Sequence, residues 1–315
     1  MSSKTQIRQI QFTQALIDAA RYATDDFNLF HDSDRWHRIY GNRFGGPIVL
    51  GFQLNQFVEG VFNQARTKGE DLERIREHHL GFSNYIVNFI GAAKVDAPVE
   101  LVIKPGRFDA GTLSLSNRFL VKSDDKLVIR GVKRETQIPL VLMDPEIPSV
   151  EKLNSFEDRS FIDELGTFYK YKYMNISNAK TFLLGSGVDQ LDYFDELTDT
   201  VIFPQIFPTA YLSCALLERY KKMGHDFEKA PMVYTSHQIC VDRVLSRQVK
   251  SNDKLHILIS PPTPLVKNSG LGSLPISQLL FEGLGLLADG KILFRAEIGL
   301  ATLENIQQPM LAHNS

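Results

Sequence analysis

The sequence predicts an α+β chain that runs through one plan twice. Three observations predict it: a long apolar helical pattern in each half, four strand-like runs after each helix, and a stretch of prolines and charges between the halves. One long helix followed by an antiparallel meander fits a sheet wrapped around a buried helix. At 315 residues, 43% hydrophobic and 23% charged, the chain is long enough for two ordinary domains.

In the first half an amphipathic helix over 11–22 leads into a loop at Asp26. A polar segment, 32–43, precedes a helix over 47–68. Its Leu50, Leu54, Phe57, Val58, Val61 and Phe62 keep helical spacing, and Gly69 is its stop. Strand-like runs follow at 85–90, 99–104, 113–121 and 126–134, with turns at Pro105-Gly106 and Ser123-Asp124-Asp125. Residues 143–159 break the rhythm with Pro145, Pro148 and many charges, which sets boundaries at 1–145 for the first domain, 146–159 for a linker and 160–315 for the second domain. Beyond the linker, Ile202-Phe203-Pro204-Gln205-Ile206-Phe207-Pro208-Thr209 opens a helix over 210–223 that Gly224 ends. Strand-like runs at 232–241, 254–260, 279–287 and 292–300 complete the repeat, and Asp289-Gly290 is a hairpin signal between the last two. Aligning Ile206 with Ile48 sets Thr209 opposite Gly51.

Charge and composition narrow the function classes. With 35 basic and 37 acidic residues, no global field draws the chain to nucleic acid or to an anionic membrane. No apolar run is long enough to span a bilayer. Cys214 and Cys240 lack metal-ligand spacing and fit a reducing, cytoplasmic setting, and the polar opening Met1-Ser2-Ser3-Lys4-Thr5-Gln6 shows no secretory signal.

The chemistry concentrates in Asp26-Phe27-Asn28-Leu29-Phe30-His31 and Phe44-Gly45-Gly46-Pro47-Ile48-Val49-Leu50-Gly51. A carboxylate and an imidazole in one short loop can converge on a single water, one taking its proton and the other delivering a proton elsewhere. Asn28 between them can hold the loop through backbone bonds. Backbone N–H groups at a helix start have no intrahelical acceptor and carry the positive end of the helix dipole. A glycine there lets a ligand approach the backbone closely. Together these groups suit reactions that build negative charge on a carbonyl oxygen. The plainer alternative is a capped loop, in which Asp26 or Asn28 caps a short helix and His31 packs beside it.

These two segments resemble the signature of the MaoC-like (R)-specific enoyl-CoA hydratases and 3-hydroxyacyl thioester dehydratases, whose fold is the hot-dog. The resemblance covers roughly 17–61. It implies a double hot-dog, two antiparallel sheets each wrapped around a long central helix, acting as an internal pseudo-dimer with room for a further homodimer. It implies a lyase that hydrates trans-2-enoyl thioesters or dehydrates 3-hydroxyacyl thioesters of CoA or acyl carrier protein, without metal or redox cofactor. Asp26 and His31 would be the catalytic pair, Gly51 would offer its N–H to the thioester oxygen, and Asn28, Pro47 and Ile48 would contact substrate. Leu29 stands where the pattern usually has proline, and Leu50 where it usually has histidine. The counterpart loop Gly185-Ser186-Gly187-Val188-Asp189-Gln190 has no histidine, so the second half is expected to be structural and to wall the acyl pocket. A thioesterase using Glu59 or Asp26, and a non-catalytic acyl-thioester-binding protein, are the rival readings.

Other conspicuous residues have plainer explanations. Glu77-His78-His79 fits a solvated helix end better than a metal site, because adjacent helical side chains do not face one another. Tyr169-Lys170-Tyr171-Lys172-Tyr173 fits a half-exposed strand. Gly270-Leu271-Gly272-Ser273 lacks the context of a phosphate loop. Glu59 is expected to be an exposed helix glutamate.

Overall fold

The computed structural model describes residues 5–66, 70–140, 147–164, 166–267 and 276–306. Gly69, residues 141–146 around the expected boundary between the first domain and the linker, and the 270–273 tract lie outside them. The first half contains β1 (Gln6–Gln11), α1 (Gln14–Thr24), 3-10 turns at Leu29–His31 and Trp36–Arg38, α2 (Gly51–Arg66), α3 (Glu70–Glu77), β2 (Phe82–Phe89), β3 (Pro98–Ile103), β4 (Arg107–Asp109), β5 (Ser114–Ser123) and β6 (Lys126–Thr136). There follow α4 (Val150–Ser155), β7 (Ser160–Phe161), β8 (Phe168–Tyr173), α5 (Ile176–Gly185), a 3-10 turn at Gln190–Asp192, β9 (Phe194–Asp195) and β10 (Thr200–Val201). The chain continues through α6 (Ile206–Lys222), β11 (Met232–Asp242), α7 (Arg243–Ser246), β12 (Lys254–Ile259), β13 (Thr263–Lys267), β14 (Ile276–Leu287) and β15 (Ile292–Thr302).

The strand order states the duplication. Five strands of the first half run β1-β3-β5-β6-β2, and the second half continues as β11-β15-β14-β12-β8-β7 in mirrored sequence. The two meanders therefore join edge to edge in one continuous antiparallel sheet rather than two separate ones. The seam is the β2–β11 ladder, with Ser236 opposite Asn88 and Asp242 opposite Phe82. Pairing these two edges satisfies backbone groups that each half alone would expose.

Helices α2 and α6 lie inside the sheet and touch each other. Both are buried almost all round through their first ten residues, which is why apolar residues occupy so many of their faces. Phe52, Phe57 and Phe62 on α2 are each about fully buried, and a Phe side chain so placed contributes roughly 1.5–3 kcal/mol. Several polar side chains caught in this core make hydrogen bonds, as burial favours. Gln53 donates to the carbonyls of Leu16 in α1 (3.2 Å) and Gly185 in α5 (2.6 Å), so one amide ties the start of α2 to both flanking helices. Gly185 lets those helices cross closely, since a Cβ there would sit 2.7 Å from the Leu16 carbonyl oxygen and the Ala20 nitrogen.

Three local expectations change. The long helix begins at Gly51 rather than at residue 47, because Pro47 to Leu50 form an extended stretch in which Ile48 bridges Lys94. The 169–173 strand is exposed toward its end and not on alternate residues: Tyr169 and Lys170 are buried, Lys170 finding Glu218 of α6 at 2.8 Å, whereas Tyr171 and Lys172 are half-buried and Tyr173 is exposed. Glu59 is buried, not exposed, because the second half packs over its helix face.

Candidate active site

Helix α1 delivers the loop. Its cap, Asp25, turns into the left-handed region (φ 54°), and the Asp26 N–H returns to the Arg21 carbonyl at 2.8 Å. Arg21 pairs with Asp32 at 3.0 Å, while Gln14 and Arg21 both donate to the His31 carbonyl. Asn28 caps the turn that carries His31, its side-chain oxygen accepting the Phe30 N–H at 3.2 Å. Leu29 fills the first position of that turn, where proline is favoured because no partner for its N–H is needed.

Asp26 and His31 are both buried, at 5% and 4% exposure, rather than in the wet loop their polarity suggests. Asp26 Oδ1 accepts the Asn28 N–H (2.9 Å) and Oδ2 accepts the Ser213 hydroxyl (2.6 Å), which in turn accepts from the Tyr234 phenol (2.8 Å). Ser213 lies on α6 and Tyr234 on β11, so the second half reaches into the first half's loop. His31 Nδ1 lies 2.7 Å from the Ile48 carbonyl, an acceptor that fixes the proton on Nδ1 and leaves the lone pair on Nε2. Burial, the largest influence, holds His31 below the ordinary imidazole range, against the opposing pull of the Asp26 charge and the Ile48 bond.

Gly51 is the first residue of α2, a position whose N–H has no intrahelical acceptor. Leu50 cannot cap this helix with its side chain, and Gln53 Oε1 takes the Leu50 N–H instead at 3.4 Å. A Cβ on Gly51 would lie 3.1 Å from both Phe89 Cζ and Tyr234 Cδ2. His31, Gly51, Asn28 and Ile48 line one largely apolar cleft of about 790 Å³, its open mouth included. Met232, Val233, Tyr234, Leu303 and Ile306 of the second half complete its wall. Two residues singled out by sequence are absent from that lining: Pro47, and Asp26, whose carboxylate is joined to the lining residue Tyr234 through the Ser213 hydroxyl. A smaller cleft of about 430 Å³ shares Asn28, Phe30, Met232 and Tyr234 with the first and adds Ser213, Leu216 and Leu217.

The counterpart loop of the second half is packed against apolar side chains. Asp189 caps a 3-10 turn through the Leu191 N–H, as Asn28 does in the first half. Val188 presses on Gly60 of α2, while Phe203 meets Phe194 edge-on and stacks on Phe207. Thr209 lies one turn inside α6 and bonds its own helix at the Ile206 carbonyl, so it offers no free helix start. Glu59 accepts from Tyr193 and from Gln56, and burial raises its pKa against those bonds and the nearby Lys133 charge. It does not line the open cleft. Among the described residues no cluster of His, Cys, Asp or Glu has the makings of a metal site, and no helix is long and apolar enough to cross a membrane.

By sequence, no protein-family model and no curated protein matches the chain. By structure it is similar over nearly its whole length to several solved proteins. A conserved hypothetical protein from Mycobacterium tuberculosis, described as a double hotdog fold, aligns at TM-score 0.57 and 12% identity over 96% of this chain and 97% of that one. The chain is a double hot-dog. A putative MaoC domain protein dehydratase from Chloroflexus aurantiacus aligns at TM-score 0.56 and 8% identity over 96% and 95% of the two chains. A MaoC-like dehydratase from Phytophthora capsici aligns at 0.52 and 11% over 94% and 95%. In this double hot-dog the open cleft lies at the loop of the first half and is walled by residues of both halves.

Sequence reasoning does not find Ser213 or Tyr234. They sit in ordinary helix and strand patterns, and the meeting of Ser213 with a carboxylate 187 residues upstream, and of Tyr234 with Ser213, exists only in the fold.

Proposed function

We propose that the chain is a hydro-lyase that hydrates trans-2-enoyl thioesters or dehydrates 3-hydroxyacyl thioesters. The observation that carries this is the joint placement of a neutral, oriented imidazole and a free helix start in one apolar cleft. In the hydration direction the thioester oxygen lies at the Gly51 N–H, which takes up the negative charge of the enolate-like intermediate. His31 Nε2 and the Asp26 carboxylate handle one water between them, adding hydroxide at the β-carbon and returning a proton to the α-carbon. The names of the MaoC-like dehydratases that share the fold support the same reaction class.

The clefts on either side of Tyr234 suit an acyl chain, which is apolar beyond its reacting carbons. CoA and acyl carrier protein both present that chain on a phosphopantetheine thiol, and the carrier, like a cytoplasmic setting, is part of the proposal. A thioesterase working through Glu59 finds no support, because Glu59 is bonded to Tyr193 and Gln56 away from the cleft. Incubation with crotonyl-CoA tests the reading: loss of the conjugated enone without free thiol supports hydration, release of thiol supports hydrolysis, and neither supports a binding protein.

A further inference from the structure

His237 on β11 is fully buried, belongs to the second half, and takes no part in the chemistry above. Its ring stacks on Phe52 with centroids 4.4 Å apart, meets Tyr234 edge-on at 4.5 Å and Phe89 at 4.8 Å. Phe89 and Tyr234 are the two side chains against which Gly51 is pressed, and Phe52 follows Gly51 in the chain. A single imidazole therefore touches the two rings pressed on Gly51 and the ring that follows it in the chain. One turn along the same helix face, Asn55 donates its amide to His237 Nδ1 at 2.8 Å.

The pair is polar where packing alone would favour carbon. With Nδ1 as acceptor the imidazole proton is on Nε2, and neither Nε2 nor Asn55 Oδ1 has a partner among the described residues. Burial keeps this ring neutral, with its pKa pushed down to about 3. Two buried groups left half-satisfied are expensive to keep, and what they gain is a directional link between the first turn of α2 and a strand of the other half. Stacking fixes how far the ring stands from α2, and the hydrogen bond fixes its rotation.

We infer that His237 is a positioning residue: held by Asn55, it sets the aromatic wall at Gly51 and thereby the placement of the Gly51 N–H toward a thioester carbonyl. The inference rests on the reaction proposed above. An oxyanion donor works only when held close to its productive geometry, so a small rotation of this wall is felt at the carbonyl and little along the acyl chain.

The test separates carbonyl recognition from chain binding. Octanoyl-CoA and S-octyl-CoA, a thioether without the carbonyl, are titrated against the full chain and the variants His237→Phe and Asn55→Leu, with folding checked by circular dichroism. His237→Phe keeps the ring and loses the acceptor, and Asn55→Leu removes the bond from the other side. The wild type is expected to prefer the thioester by about tenfold, the worth of one hydrogen bond. Both variants should lose most of that preference while thioether affinity stays within about threefold, and kcat on crotonyl-CoA should fall with KM little changed. Retention of the preference in either folded variant overturns the inference, as does an equal loss of affinity for both ligands, the mark of a purely structural role. A wild type that binds neither ligand, or both alike, overturns the proposed function itself and the inference with it.

Discussion

Replacing Asp26 by Asn removes a charge from the candidate site while leaving its shape. Two donors now point at the carboxylate, the Asn28 N–H at 2.9 Å and the Ser213 hydroxyl at 2.6 Å. The amide oxygen keeps the backbone donor. The amide nitrogen then faces Ser213, whose oxygen can accept from it and from Tyr234 at once, so only the Ser213 proton loses its partner. One unmade buried hydrogen bond costs about 1–3 kcal/mol, which for a chain of this size lowers the Tm by only a few degrees, at about 2–4 °C per kcal/mol for somewhat smaller domains. Turnover should respond far more, falling by roughly 10²–10⁴ with the loss of acid/base catalysis. The assay is crotonyl-CoA hydration followed by enone absorbance at saturating and limiting substrate, beside a thermal melt. A folded Asp26→Asn variant with wild-type turnover would refute the assignment of Asp26, and a collapse of the melt would show the carboxylate to be chiefly structural.

His31→Ala is expected to lower turnover by a similar roughly 10²–10⁴, and retention of wild-type turnover in the folded variant would count against it. Gly51→Ala places a methyl 3.1 Å from Phe89 and Tyr234, an overpacking worth about 1–3 kcal/mol, and should cut turnover by more than its melt predicts, whereas a purely proportional loss would remove Gly51 from the oxyanion role. His31, held below 6.5 by burial, must be neutral to act as a base, so kcat/KM should be level above pH 6.5 on its acid side and fall as pH drops through the lowered pKa. Stability follows the same sign, being present above 6.5 and lost as pH falls, and an acid limb centred above 6.5 would contradict it. Asp189→Asn, in the second half, should leave turnover on a short substrate within a few-fold of wild type, and a collapse equal to that of Asp26→Asn would mean that the two halves share catalysis. Residues 1–150 alone should not give a stable, active monomer, since β2 would lose β11 along the seam and Asp26 would lose Ser213.

The parts of the fold that depend on local pattern were legible in the sequence. Strands β2, β3, β5 and β6 and the four later ones from β11 to β15 that flank the second core carry alternation and turn residues of their own, and α2 and α6 carry unbroken apolar spacing. Helix α5 also has a signal, the Asn175 cap followed by Ile176, Ala179, Phe182 and Leu183, yet a repeat aligned on the later helix alone omits it. Strand β1 reads as polar, QIRQIQ, because it is an outer edge with one face in water. At the site, the loop order fixes the proximity of Asp26, Asn28 and His31, and their turn is capped by Asn28 as the plainer reading expects, a geometry that the catalytic proposal uses as well. Burial was not legible. Asp26, His31 and Glu59 look exposed by residue type and are enclosed by Ser213, Tyr234 and Tyr193, all supplied by the other half of the chain. Sequence periodicity reports which face of an element is apolar, and it is silent about which distant element will cover a polar one.

The central claim, that the open cleft of the first half adds water across an enoyl thioester, is tested most directly by wild-type protein and crotonyl-CoA with enone absorbance and free thiol recorded on one sample. A hydratase gives enone loss that stops at the hydration equilibrium, 3-hydroxybutyryl-CoA as product, and no thiol. Thiol released in step with substrate consumed, or an unchanged enone with saturable binding, would contradict the claim.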